Sequence, residues 1–235
     1  MARGYYRNTR RTRYKRYRPR RKTKRTYKRR YRRSAPYGGL GMQLGVEHKY
    51  HDTTLNTINL TSAAVSGVST LMSAIEQGSG QSQRVGRKIT AKSFVARGEL
   101  SWDASGTEKS IRVRGLLVMD HHANGTAFTT SNIDEVLTSV GIDAFQKLEQ
   151  NKRFSVIRDK VYTFNTTSGI AQEAITKPWK MAVKFTKPTE FIYNSTTNGE
   201  TELTTNKLIL IWITNATQPE ACAVTGKTRL RYCDV

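Results

Sequence analysis

From residue 47 onward, apolar and polar residues alternate over long stretches, and this period of two marks half-buried β-strands. The pattern predicts strands at Glu47–Leu55, Ile89–Trp102, Ser110–Asp120, Arg153–Phe164, Trp179–Phe185, Glu190–Tyr193, Leu208–Thr214 and Thr228–Cys233. In Ser110–Asp120, Ile111, Val113, Leu117 and Met119 share one face, while Arg112 and Arg114 begin the other. Ala104-Ser105-Gly106-Thr107, just ahead of that strand, reads as a hairpin turn. Leu208–Ile213 departs from alternation because every residue is apolar, as expected of a strand in the middle of a sheet covered on both faces. Helical periodicity is nearly absent. The one candidate helix is Asn132–Val140, with Ser131 to cap it, Asp134 three residues on and Gly141 to end it; it is expected to decorate the surface of a long connection.

Eight strands with long polar connections predict an all-β fold, an eight-stranded jelly-roll sandwich of two four-stranded sheets. The stretch 46–235 is long enough to bury a real core as one domain. Ahead of it, residues 34–45 read as a hinge, since Ala35-Pro36-Tyr37-Gly38-Gly39-Leu40-Gly41 interrupts any regular element.

Composition changes the picture at residues 1–33. The chain carries 40 Lys and Arg against 18 Asp and Glu, a net charge of +22, and 18 of those bases lie in this arm, which has no acid. They are Arg3, Arg7, Arg10, Arg11, Arg13, Lys15, Arg16, Arg18, Arg20, Arg21, Lys22, Lys24, Arg25, Lys28, Arg29, Arg30, Arg32 and Arg33. The rest of the chain is left with 22 bases against 18 acids, a net of only +4. An arm so charged repels itself and has almost nothing apolar to bury, so it is expected to stay disordered until a polyanion neutralises it. Lys and Arg that meet phosphates release condensed counterions, which favours any nucleic acid. Tyr5, Tyr6, Tyr14, Tyr17, Tyr27 and Tyr31 are interleaved with the bases, and aromatic faces stack on unpaired bases, so the mixture favours a single strand.

The cluster Arg20, Arg21, Lys22, Lys24, Arg25, Lys28, Arg29 and Arg30 also has the composition of a nuclear import signal, which implies host import receptors as partners and the nucleus as a destination. Membrane binding is disfavoured because the arm lacks a Leu, Phe or Trp face, and no apolar run follows the charges as in a secretory signal.

Candidate chemistry changes little. His48 and His51 stand three apart, which in a strand puts the rings on opposite faces. Asp120-His121-His122 opens a loop with no fourth ligand nearby, and reads as a turn or a subunit contact. Gly226-Lys227-Thr228 has Ala221 where a phosphate-binding loop needs Gly. Cys222 and Cys233 are too few for a disulfide framework and are expected to be reduced packing or interface residues. Trp102, Trp179 and Trp212 read as core or subunit-interface anchors. No catalytic residue, metal site or cofactor is therefore expected.

Several segments together resemble one family. The Arg/Tyr-rich arm, EHKYHDTTLN, the loop QGSGQSQRVGRKI from Gln77 to Ile89, RFSVIRDKVYTF from Arg153 to Phe164 and TRLRYCDV from Thr228 to Val235 are similar to capsid proteins of small circular single-stranded DNA viruses of the circovirus-like kind. The resemblance implies a jelly roll that self-assembles into a T=1 icosahedral shell, enters the nucleus, attaches to host cells through sulfated polysaccharide and packages circular single-stranded DNA in the virion. About sixty such arms would bring roughly a thousand positive charges to the genome's phosphates. Basic arms on jelly rolls also serve coat proteins of small or satellite single-stranded RNA viruses, and the arm's chemistry does not separate the two nucleic acids. A cellular nucleic-acid-binding module is a further alternative. A nuclease would need clustered carboxylates for paired metals, and none is evident.

Overall fold

A computed structural model of the chain describes residues 48–60, 66–69, 71–103, 109–166, 174–216 and 222–234. The arm, the hinge and the turn predicted at Ala104–Thr107 lie outside the described residues. The described strands are β1 (His48–Leu60), β2 (Ser66–Ser69), β3 (Lys88–Asp103), β4 (Ser110–Asp120), β5 (Phe154–Asn165), β6 (Ala174–Tyr193), β7 (Leu203–Thr205), β8 (Lys207–Thr214) and β9 (Cys222–Asp234). They pair antiparallel in two sheets, one of five strands in the order β1-β9-β3-β6-β7 and one of four in the order β2-β8-β4-β5. This is a jelly-roll-like sandwich.

The strand count corrects the expectation of two four-stranded sheets. Trp179–Phe185 and Glu190–Tyr193 are not separate strands but parts of β6, whose ladder with β3 jumps from Thr189 to Lys184 and leaves residues 185–188 unpaired. Pro188 lies in that gap, where a missing N–H is harmless, so the proline marks a bulge rather than a chain break. β2 and β7, of four and three residues, are too short to show a period.

Between the sheets lies a core that includes Phe94, Leu100, Val113, Leu117, Met181, Leu210 and Leu230. All three tryptophans belong to it, which decides between core and interface. Trp179 and Trp212 meet edge to face at 5.0 Å, and Trp102 meets Phe164 at 6.1 Å. Trp179, Gly98 and Gly226 are aligned across β6, β3 and β9. A Cβ on Gly226 would come within 2.6 Å of the Arg97 carbonyl and 2.8 Å of the Trp179 ring, so only glycine leaves the indole its place.

A second core lies on the other face of the four-stranded sheet. Leu116, Val118, Ile209, Ile211 and Ile213 point away from the first core and are covered by Phe128, Ile133, Val136, Leu137 and Ile142 from the connection between β4 and β5. The predicted helix Asn132–Val140 is therefore not surface decoration, and it is shorter than expected. A 3₁₀ turn at Thr130–Asn132 leads into one helical turn, α1 (Ile133–Val136), whose Ile133 and Val136 are fully buried. Ser131 does not act as the expected cap; the Thr129 N–H donates to the Asn132 side chain at 3.0 Å. The helix stops because Leu137 turns extended to bridge Gln146, and the Thr138 N–H donates to the Phe145 carbonyl at 2.9 Å. Beneath this cover Arg114 is buried. Its guanidinium donates to the carbonyls of Ile142 at 2.8 Å and Ala144 at 2.7 Å, and pairs with Asp159 at 2.6 Å.

Two stability outcomes follow from these contacts. Arg114→Met leaves the Ile142 and Ala144 carbonyls without their donor under cover, and is expected to cost about 1–3 kcal/mol in urea unfolding. In that variant amides in residues 137–147 should lose hydrogen-exchange protection before those of β8. Gly226→Ala is expected to cost about 1–3 kcal/mol through overpacking, read as a lower unfolding midpoint by tryptophan fluorescence.

Candidate nucleic-acid interface

Alternation in the five-stranded sheet sends apolar residues into the core and leaves the other face to polar ones. In β9, Thr228, Leu230 and Tyr232 are buried while Lys227, Arg229 and Arg231 stand outward. Register then stacks these outward residues into rows across the sheet. Tyr50, Arg231, Ser93 and Lys184 form one row; Asp52, Arg229, Val95 and Ala182 the next; Thr54, Lys227, Arg97 and Lys180 the third. Lys92 joins them because β3 carries one extra residue there: its ladder with β9 passes from Ala91 directly to Ser93.

These rows border a groove of about 1020 Å³, lined among others by His48, Tyr50, Lys92, Arg158, Lys184, Arg229 and Arg231. A neighbouring hollow of about 500 Å³ shares Arg229 and Arg231 and adds Asp52, Arg97 and Lys227. Together the two are lined by eight Lys and Arg and a single carboxylate. Taking those groups from the body leaves 14 bases against 17 acids, a net of −3. The body's small net charge thus hides a strongly cationic face on an otherwise acidic domain.

The lone carboxylate holds the centre of the face in place. Asp52 accepts from Nε and Nη2 of Arg229, both at 2.6 Å, and this hydrogen bonding keeps its carboxyl below the usual carboxylate range. The Arg229 guanidinium sits 5.0 Å from the centre of the Tyr50 ring. Tyr50 is 41% exposed, unusual for a large ring on a sheet face. Among the described residues, Lys92, Arg97, Lys184, Lys227 and Arg231 stand in no ion pair, so their charge is available to an anion. Arg158 reaches the groove from β5, where its Nε donates to the Ala182 carbonyl of β6 at 2.9 Å; Lys160 does the same to Lys180 at 2.8 Å. These side chains cap carbonyls on the edge of β6 and bring further charge to the rim.

The glycine-rich loop Gln77–Ile89 supports this site from behind. Arg84 is fully buried, donating to the carbonyls of Ile75 at 2.8 Å, Gly86 at 2.7 Å and Ser195, with its guanidinium 4.2 Å from the Tyr193 ring centre. So pinned, the loop offers the Ser82 carbonyl to the His51 ring at 3.3 Å and the Gln83 carbonyl to Lys49 at 3.2 Å. Lys49 also pairs with Asp234 at 2.9 Å. Burial pushes the His51 pKa down.

The other patterns singled out in the sequence resolve into structural roles. His48 lies beside Cys233, 3.2 Å from Nδ1 to Sγ, and does not meet His51. His121 bridges Asn206 at 2.8 Å and Ser155 at 2.9 Å, and Asp120 pairs with Arg153 at 3.4 Å. Both cysteines are free and buried, and burial pushes the Cys222 thiol up to about 12. Among the described residues no three His, Cys, Asp or Glu gather as metal ligands, and no helix is long and apolar enough to cross a membrane.

The predicted arm residues, from Arg3 to Arg33 with their tyrosines, lie outside the described residues, but the first described residue, His48, lines the groove. Sequence reasoning missed the groove itself. Its signal was the alternation Lys227, Arg229, Arg231 in the last strand, invisible to a net charge of +4 averaged over the body.

The family model for the geminivirus coat protein/nuclear export factor BR1 family matches residues 1–235. No curated protein matches the chain. Among solved structures, the infectious bursal disease virus VP2 subviral particle is 9% identical over 85% of this chain and 37% of that one, with a TM-score of 0.27. The T13 particle of the same virus is 10% identical over 85% and 44%, with a TM-score of 0.15. This chain thus spans less than half the length of those solved chains, and likenesses so weak carry no argument. The family is geminiviral and not specifically circoviral, so the resemblance to circular single-stranded DNA virus capsids holds at that coarser level. With every residue inside the match, the chain belongs to the geminivirus coat protein/nuclear export factor BR1 family, a capsid-type protein and not an enzyme.

Proposed function

We propose that this chain is the subunit of a small T=1 icosahedral shell, built on an eight-stranded jelly roll to which β7 is a minor addition, and that it packages circular single-stranded DNA through the arm Met1–Arg33. In this reading residues 34–45 are a hinge and 46–235 the shell domain. The bases of the arm act collectively on phosphates and its tyrosines on unpaired bases. The cluster from Arg20 to Arg30 serves nuclear import, so the protein works in the host nucleus and the virion. Attachment to sulfated polysaccharide is part of the same proposal.

The observation that carries the reading is the polarity of the described sandwich. One outer face is sealed by the connection between β4 and β5, whereas the other is open and cationic, with His48 at its rim. The described part of the chain begins at His48, which lines the groove on this cationic face. A shell that turns this face inward brings arm and wall to the same polyanion.

Changing about half of the arm's bases to Gln should leave shells visible by electron microscopy while nuclease-protected DNA per shell falls several-fold. Normal DNA content in such shells would overturn packaging by the arm. The same variant should bind single-stranded oligonucleotides with a shallower fall of log affinity against log salt, by about 0.7 for each phosphate that the arm no longer neutralises.

A further inference from the structure

We infer that the groove on the five-stranded sheet is a second, ordered nucleic-acid site, distinct from the arm, in which a base of a single strand stacks on the Tyr50–Arg229 pair and the flanking phosphates lie on Lys92, Lys184 and Arg231. The inference rests on the packaging reading only for the identity of the polymer. The site itself is argued from geometry.

Volume bounds the occupant first. About 1020 Å³ is at the upper limit of clefts that enclose a small ligand, roughly 300–1,000 Å³. The hollow that continues it along the sheet adds about 500 Å³, a shape suited to a short run of polymer. Charge is the second bound. Cations without carboxylate partners on three adjacent strands require an anion repeated along the groove, as phosphates are. A carboxylate-bearing peptide would meet the same cations, but it would not use the ring.

Tyr50 separates a strand of nucleic acid from a featureless polyanion. Its ring is exposed in the row that also holds Arg231 and Lys184, so a base against the ring places neighbouring phosphates over those two cations. Asp52 has a positioning role here. Its two hydrogen bonds fix the Arg229 plane near the Tyr50 ring, and this stack is formed before any ligand arrives. A duplex hides its base faces and cannot use the ring, whereas a single strand can.

The test uses the full-length protein and a short oligodeoxythymidylate carrying 5-iodouracil, photocross-linked and mapped by mass spectrometry. A cross-link on the peptide containing Tyr50 is expected, in addition to those on arm peptides. It should persist in Tyr50→Phe, which keeps the ring, and fall about tenfold in Tyr50→Leu, in line with the worth of one stacked base. Lys184→Gln with Arg231→Gln should reduce it while arm cross-links remain, and an iodouracil duplex of the same length should not give it. Cross-links confined to the arm would overturn the groove site and leave packaging by the arm standing. No binding of the oligonucleotide anywhere on the protein would overturn both.

Discussion

Strand β8 is buried at all eight of its positions, from Lys207 to Thr214, and the rest of the architecture answers to that demand. A strand apolar on both faces needs two covers. The five-stranded sheet supplies one, over Leu208, Leu210 and Trp212, and the connection between β4 and β5 supplies the other, over Ile209, Ile211 and Ile213. The polar groups of that connection must then be satisfied under cover, which is what Arg114 does for its carbonyls and the buried Lys207 does for Thr126 at 2.5 Å. Paired with Asp159, Arg114 is also spared the full penalty of burying an unpaired charge.

Covering one sheet leaves the other bare. The outer face of the five-stranded sheet has no second layer among the described residues, so its side chains are free to serve something other than the core. Because strand period is two, every residue between buried ones in β9 and β3 faces the same way, and register brings cations from three strands into contiguous rows. The like charges are held apart by sheet spacing and relieved only by Asp52 at the centre. Such a face concentrates positive potential over a polar surface, and its natural complement is a flexible polyanion.

Much of this was legible in the residues. Alternation located most strands to within a few positions, and the unbroken apolar run at Leu208–Ile213 foretold a strand covered on both faces. The arm's charge and its tyrosines pointed to nucleic acid without any structure. The failures have local causes. Two strands were too short for a period to register, and the unpaired stretch 185–188 inside β6 split one strand into two expected ones. The expected helix ended early because Leu137 found an extended partner in Gln146, a contact between residues nine apart that propensity does not weigh. Arg114 looked like an outward residue on an alternating strand, since nothing local shows that the following connection folds back over it.

By itself, then, the sequence determined the β class of the described body, set 18 bases apart in its first 33 residues, and gave the ground for proposing a polyanionic partner, because periodicity, composition and charge density act over neighbouring residues. Tertiary structure alone decided which faces are sealed and where the body's cations gather. Arg97, Lys184, Arg229 and Arg231 are separated by up to 134 positions in the chain and become neighbours only through strand pairing. A site assembled by register has no local signature beyond the alternation of each strand, and so its existence had to wait for the fold.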